Sequence, residues 1–191
     1  IVGLADRAVE ESKERVRSAI RNCDAEFPSR KITVNLAPAD LPKEGPSYDL
    51  PIALGVLLAS GQIPQSNIDE LKNYLVVGEL SLDGALSRTH GILPLAILAK
   101  EKKLKGIIVP KENASEASIV KNLTVYAPSS LQDLIKHLLG QLELKPVKKT
   151  KIVLNGEGFY EFDFSQIKGQ EQAKRSLEIA AAGGHNILLK G

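Results

Sequence analysis

Apolar side chains recur along this chain in two rhythms, one close to every third or fourth residue and one at every second, and their alternation sets out its elements. Residues 1–5 are apolar and are expected to finish a strand. Asp6 stands where it can cap the helix that follows, in which Ala8, Val9, Val16, Ala19 and Ile20 recur near helical period among Glu, Lys and Arg. Phe27-Pro28 breaks that pattern, and Lys31-Ile32-Thr33-Val34-Asn35-Leu36 alternates polar and apolar, which predicts a strand with one buried face. Residues 37–47 hold three prolines and a glycine and read as a loop. Asp49 is then expected to cap an apolar helix over residues 50–60, with Pro51 in its first turn. Residues 74–80 read as a buried strand, and Leu82-Asp83-Gly84-Ala85 is a hairpin signal. Helices are predicted over residues 92–104, 113–120 and 129–139, the first with Pro94 in its opening turn and the last capped by a serine. Strands are predicted over 106–110 and 123–127. Strand and helix alternate with short links and no internal repeat, which implies an α/β layered fold.

The character changes after residue 140. Lys145-Pro146-Val147-Lys148-Lys149-Thr150-Lys151 is basic, contains proline and lacks a periodic apolar face. A DNA-contacting arm and a solvated linker are the two readings; we take the linker, and set the parts at 1–140, 141–158 and 159–191. Tyr160, Phe162 and Phe164 alternate with Glu161 and Asp163, an extended entry into a second domain. A helix over 170–183 ends at Gly183-Gly184, and Asn186-Ile187-Leu188-Leu189 reads as a buried-type strand running into Lys190-Gly191. Helix, apolar strand and glycine are how a phosphate-cradling loop, G-x-x-x-x-G-K-[ST], begins. The rest of that loop is expected beyond Gly191, and the opening on Ile1 with no methionine anywhere is read as a sign of further residues upstream.

Composition narrows the classes. At 43% hydrophobic and 25% charged, the 191 residues suffice for one full domain and part of another. A net charge of +2 gives no broad nucleic-acid footprint. The single cysteine, Cys23, excludes an internal disulfide framework and fits a reducing compartment, and no apolar run reaches membrane-spanning length. No membrane partner is expected, and the cytoplasm is the expected location.

These residues carry a resemblance. Asp163-Phe164-Ser165-Gln166-Ile167-Lys168-Gly169-Gln170 with the helix and Gly183-Gly184-His185-Asn186-Ile187-Leu188-Leu189 resembles the entry to the AAA+ module of magnesium-chelatase-like ATPases. Ile1-Val2-Gly3-Leu4-Ala5-Asp6, Val34-Asn35-Leu36-Ala37-Pro38-Ala39-Asp40-Leu41-Pro42-Lys43-Glu44-Gly45, Tyr48-Asp49-Leu50-Pro51-Ile52-Ala53 and Gly78-Glu79-Leu80-Ser81-Leu82-Asp83-Gly84 resemble the amino-terminal domain of the ComM (YifB) group of that family. The resemblance implies an α/β sandwich of the Lon-protease-like, ribosomal-protein-S5 domain 2 type, followed by a P-loop AAA+ segment that stops at its phosphate loop. It implies a parent that is a ring-forming, ATP- and Mg2+-dependent motor acting on DNA, with competence as a context and the first domain as an accessory platform. A metal-insertion motor is the neighbouring possibility, and a plain protein-binding module the blandest.

Lon-type chemistry needs a serine nucleophile and a desolvated lysine base. The resemblance places that serine at Gly45-Pro46-Ser47, and Ser47 is the candidate nucleophile of a peptidase reading. The lysine position falls on Leu93, which accepts no proton, while Lys100, Lys102 and Lys103 lie at the far end of that helix, on the order of 10 Å away. Ser47 is therefore read as a loop residue and no catalytic set is expected. His90, His137 and His185 are isolated in sequence and suggest no metal set, and Cys23 with Asp24 nearby is read as an unreactive thiol. In the second domain the resemblance assigns adenine contact to Ile167, Lys168, Gly169 and Gln170 and the first loop glycine to Gly191, with no nucleotide expected on this stretch alone.

Overall fold

Alternate residues of three short parallel strands point to opposite faces of a sheet, and helices roof both faces. The computed structural model describes residues 1–150 and 163–190 and divides into two units, Ile1–Ile152 and Val153–Gly191. In chain order the first unit contains α1 (Arg7–Asn22), α2 (Asp49–Ala59), α3 (Ser66–Leu71), β1 (Tyr74–Val76), β2 (Glu79–Leu80), β3 (Leu86–Ser87), α4 (Ile92–Glu101), β4 (Gly106–Ile108), α5 (Ala114–Ala117), β5 (Thr124–Tyr126) and α6 (Leu131–Leu138). The sheet order is β1-β4-β5, all parallel, with Tyr74 beside Gly106 and Gly106 beside Thr124. β2 and β3 form a separate antiparallel hairpin.

On one face Tyr74 and Ile108 pack with Val16, Ala19 and Ile20 of α1, Leu50 and Leu57 of α2, and Leu131 and Leu134 of α6. On the other, Ile107 and Val125, with Val77 and Val109 just past the strand ends, pack with Ile92, Ala96 and Ala99 of α4 and Ala117 of α5. Each fully buried leucine or isoleucine contributes on the order of 1.5–3 kcal/mol of burial. The caps follow the expected chemistry. Asp6 accepts the Val9 amide at 2.7 Å and Ser130, rather than Ser129, accepts the Asp133 amide at 3.1 Å. The Asp-Gly hairpin forms as expected, Asp83 accepting from Ala85 N at 3.0 Å. Gly84 sits there at φ +87°, where a Cβ would come within 2.4 Å of the Cys23 sulfur.

Several expectations give way. Residues 1–5 make only isolated bridges, Val2 to Asn35 and Ala5 to Lys43, because Gly3 and Leu4 turn through positive φ. The segment 31–36 is not a half-buried strand: Ile32 is exposed, and only Val34 reaches the core, so alternation there has no face to pack against. The run 74–80 splits into β1 and β2 at Val77 and Gly78, where Gly78 leaves the sheet to bond the turn before α2. The helix at 92–104 ends at Glu101, with Lys103 left-handed, and that at 113–120 shrinks to α5 behind a 3-10 turn.

The basic stretch taken as a solvated linker is docked as far as it is described. Val147 donates its amide to Val125 O at 2.8 Å, extending the exposed edge of β5, and Thr150 meets the Ser118 hydroxyl at 2.6 Å. Residues 151–158, with Tyr160 and Phe162, lie outside the described residues. In the second unit Phe164 opens a 3-10 turn, Phe164–Gln166, and α7 (Glu171–Gly183) ends at left-handed Gly184. Residues 186–189 form no strand among the described residues; Leu188 is 91% exposed. An apolar run of that length needs a neighbouring strand to become one, and none is at hand.

Asp49 does not cap α2. Its carboxylate lies at the first turn but turns inward, fully buried, and takes Arg15 in a fork: Nε at 2.7 Å and Nη2 at 3.0 Å. It also accepts the Leu80 amide at 3.1 Å. The pull of an interhelical cation in a dry site outweighs a local amide that water can also satisfy. Burial pushes the Asp49 carboxyl up, while Arg15 and the Leu80 amide draw it back, and Asp49 in turn holds the Arg15 guanidinium above its usual value.

Two predictions follow from this packing. Arg15→Met strands a buried carboxylate and is expected to cost about 3–5 kcal/mol, read as a lower urea midpoint at unchanged slope. Adding Asp49→Leu should return part of that loss; a single variant as stable as the parent would refute the pin. Second, the Tyr74 ring lies against Gly106, where a Cβ would stand 2.3 Å from Thr124 O and 2.6 Å from the Tyr74 ring. Gly106→Ala is therefore expected to cost about 1–3 kcal/mol. Tyr74→Phe should be neutral or stabilising, because the Tyr74 hydroxyl is buried without a hydrogen-bond partner among the described residues, the nearby Lys105 amine lying over the ring, 5.6 Å from its centroid. The same midpoint measurement checks both.

Candidate functional site

The loop before α2 is held from four directions. Gly45 donates its amide to Asp6 Oδ2 at 3.0 Å, so one carboxylate both caps α1 and fixes the loop entrance. The amides of Val9 and Gly45 hold the Asp6 carboxyl below its usual range. Lys43 is buried and donates its amine to the Pro38 and Leu41 carbonyls, closing the proline-rich segment on itself. Gly78 N donates to Ser47 O at 3.1 Å and Leu50 N donates to Gly78 O at 3.0 Å, stitching the loop to the end of β1. The Asp49–Arg15 fork secures its far side.

Within this frame Ser47 is half-buried, and its hydroxyl makes no hydrogen bond among the described residues. Leu93 stands half-buried in the first turn of α4, where its amide donates to Glu116 Oε1 at 2.9 Å. Glu116 is steadied by Asn113, which is fully buried and bonded to both the amide and the carbonyl of Thr89. The start of α4 is thus an apolar side chain with an acidic neighbour. Lys100, Lys102 and Lys103 are exposed at the other end. The position that the resemblance gives to the lysine base thus holds a side chain that accepts no proton.

The other candidates are dispersed. Cys23 is buried against the hairpin, and burial pushes its thiol up. Asp24 bonds Gln132 at 2.9 Å instead. His90 and His185 are exposed, while His137 lies against Tyr126, ring centroids 5.4 Å apart. Among the described residues no three His, Cys, Asp or Glu side chains gather as metal ligands, and no helix is long and apolar enough to cross a membrane.

In the second unit, Gly169 and Gln170 are both left-handed, at φ +71° and +60°, and turn the chain into α7. Ile167 is 46% exposed beside a recess of about 500 Å³ lined by Asp163, Phe164, Gln166 and Ile167. Exposed apolar side chains at a recess, next to an open backbone turn, fit a flat aromatic base. Lys168, Gly169 and Gln170 are all exposed there, and Gly191 lies outside the described residues. Sequence reasoning missed Arg15, Lys43 and Glu116. Arg15 stands one place before Val16 on the buried side of α1, and that was its only signal.

The family described as "Subunit ChlI of Mg-chelatase" matches residues 1–113, and "Magnesium chelatase, subunit ChlI" matches residues 163–191. Competence protein ComM of Haemophilus influenzae is 45% identical over 195 aligned residues, covering 100% of this chain and 37% of that protein. YifB of Escherichia coli is 46% identical over 191 residues, 100% of this chain and 36% of that protein. Lon protease 2 of Bacillus subtilis is 28% identical over 131 residues, 67% of this chain and 22% of that protein. The chain therefore spans a little over a third of the length of its ComM and YifB relatives. A Lon-like α/β unit that the ChlI model matches over residues 1–113, followed by a chelatase-type segment, places the chain in the magnesium-chelatase ChlI family, in its ComM/YifB group.

Proposed function

We propose that the protein to which this chain contributes is an ATP-driven, Mg2+-dependent motor that remodels DNA in the cytoplasm as a homo-oligomeric ring. Its Lon-like unit serves as a non-catalytic platform. The observation that carries the platform reading is Leu93. A rigid, well-built serine loop survives without an amine to activate it, as expected of a fold kept for its shape. The motor reading draws on the collinear match to a relative whose name is competence protein, extending through the chelatase-type segment. Ile167, with Lys168, Gly169 and Gln170, would hold the adenine, and Gly191 would open the phosphate loop. ATP and Mg2+ would supply the phosphoryl group and its charge neutralisation; the described residues contribute only base contact and backbone approach.

ATP hydrolysis measured on the protein extended to the length of its relatives is expected to rise on addition of DNA, and to vanish when the phosphate-loop lysine is replaced. Turnover indifferent to DNA would favour a metal-inserting motor of the chelatase kind.

The likeness to Lon protease 2 supports a second reading, a serine peptidase using Ser47. A fluorophosphonate should leave Ser47 unmodified in intact-mass and peptide spectra of this chain. Labelling at Ser47, abolished by Ser47→Ala, would instead establish an activated nucleophile and remove the platform reading.

A further inference from the structure

Between the C-terminal ends of α1 and α2 the segment 25–33 frames a recess of about 1000 Å³, away from the serine loop. Its rim carries Arg21, Arg30 and Lys31, all exposed. None of the three has an acidic partner among the described residues, and the three stand together on one rim. Phe27 gives the recess an aromatic wall, with the Arg17 guanidinium 5.9 Å from its ring centroid. The one acidic side chain lining it is Glu26.

One end of the frame is tied down by Gln62. Gln62 accepts the Glu26 amide at 2.7 Å and donates to the Glu26 carbonyl at 2.8 Å and the Ser60 hydroxyl at 2.7 Å, clamping the segment to the end of α2. A recess with an uncompensated basic rim, a π surface and hydroxyl and amide walls has the chemistry of a single-strand nucleic-acid track. Phosphates meet the cations while a base lies on the ring. A polyglutamate chain would meet the same charges but leave the Phe27 ring uncovered.

We propose that this recess on the first unit holds a short stretch of single-stranded nucleic acid. The proposal rests on the DNA-motor reading for the biological source of the strand, and on the geometry alone for the contact.

The test is fluorescence anisotropy of a labelled oligothymidylate of about twenty nucleotides with the 191-residue chain. Arg30→Gln/Lys31→Gln is expected to weaken binding about tenfold at ~50 mM salt and to make the log–log salt slope shallower by about 1.4, two phosphate contacts' worth. Phe27→Leu, which keeps an apolar side chain against the core, should weaken it about fivefold or more. Lys102→Gln/Lys103→Gln, which removes two exposed charges from the end of α4, should change nothing. Equal affinity in the two charge variants overturns the proposal, as does no binding of the oligonucleotide. Tighter binding of a labelled polyglutamate, lost in the Arg30/Lys31 variant, overturns it in favour of an acidic protein partner. DNA-stimulated hydrolysis by the longer protein with no binding in this recess would leave the motor standing and remove only this contact. Binding here without such stimulation would do the reverse.

Discussion

One buried carboxylate sets the geometry of the first unit. Asp49 receives the guanidinium of α1, the amide that begins the hairpin, and nothing from water. Three pieces of chain far apart in sequence meet at two oxygen atoms. That meeting adds a polar pin to the apolar packing of α1 on α2 and to the bonds that tie the hairpin to Asn22 and Ser129. A charge with no exposure is a costly way to join helices, since an apolar contact would stabilise as well. What it adds is direction: an apolar seam can slide by a turn, whereas a fork onto a carboxylate admits one register.

The same carboxylate helps give the loop before α2 its form. Ser47 is held from behind by Gly78, from the front through Asp6, and from the side through Asp49. At the start of α4, Leu93 packs against the second apolar cluster and its amide is met by Glu116. The form of the serine loop is held by bonds that do not involve the Ser47 side chain.

The α/β class, the helical rhythm of α1, the Asp-Gly hairpin and the apolar identity of position 93 were all legible in sequence, because each is a local property. Asp6 was legible as a cap but not as the holder of Gly45, which lies 39 residues away. Asp49 was misread for the same reason: a residue before an apolar helix looks like a cap until a distant arginine is known. Residues 31–36 have a strand's alternation and residues 186–189 a strand's composition, yet neither forms one, since pairing requires a neighbour that periodicity does not reveal. The recess beside Phe27 was invisible because its cations come from a helix and a loop and sum to nothing unusual in a net charge of +2.

The packing of Tyr74 against Gly106 and, tilted by 51°, against Tyr126, centroids 5.7 Å apart, has an optical consequence. The chain has no tryptophan and four tyrosines, and two of them sit together on one face of the parallel sheet. Their coupled near-ultraviolet dichroism, beside that of half-buried Tyr48, gives the molecule its own spectroscopic gauge of whether the three strands remain side by side.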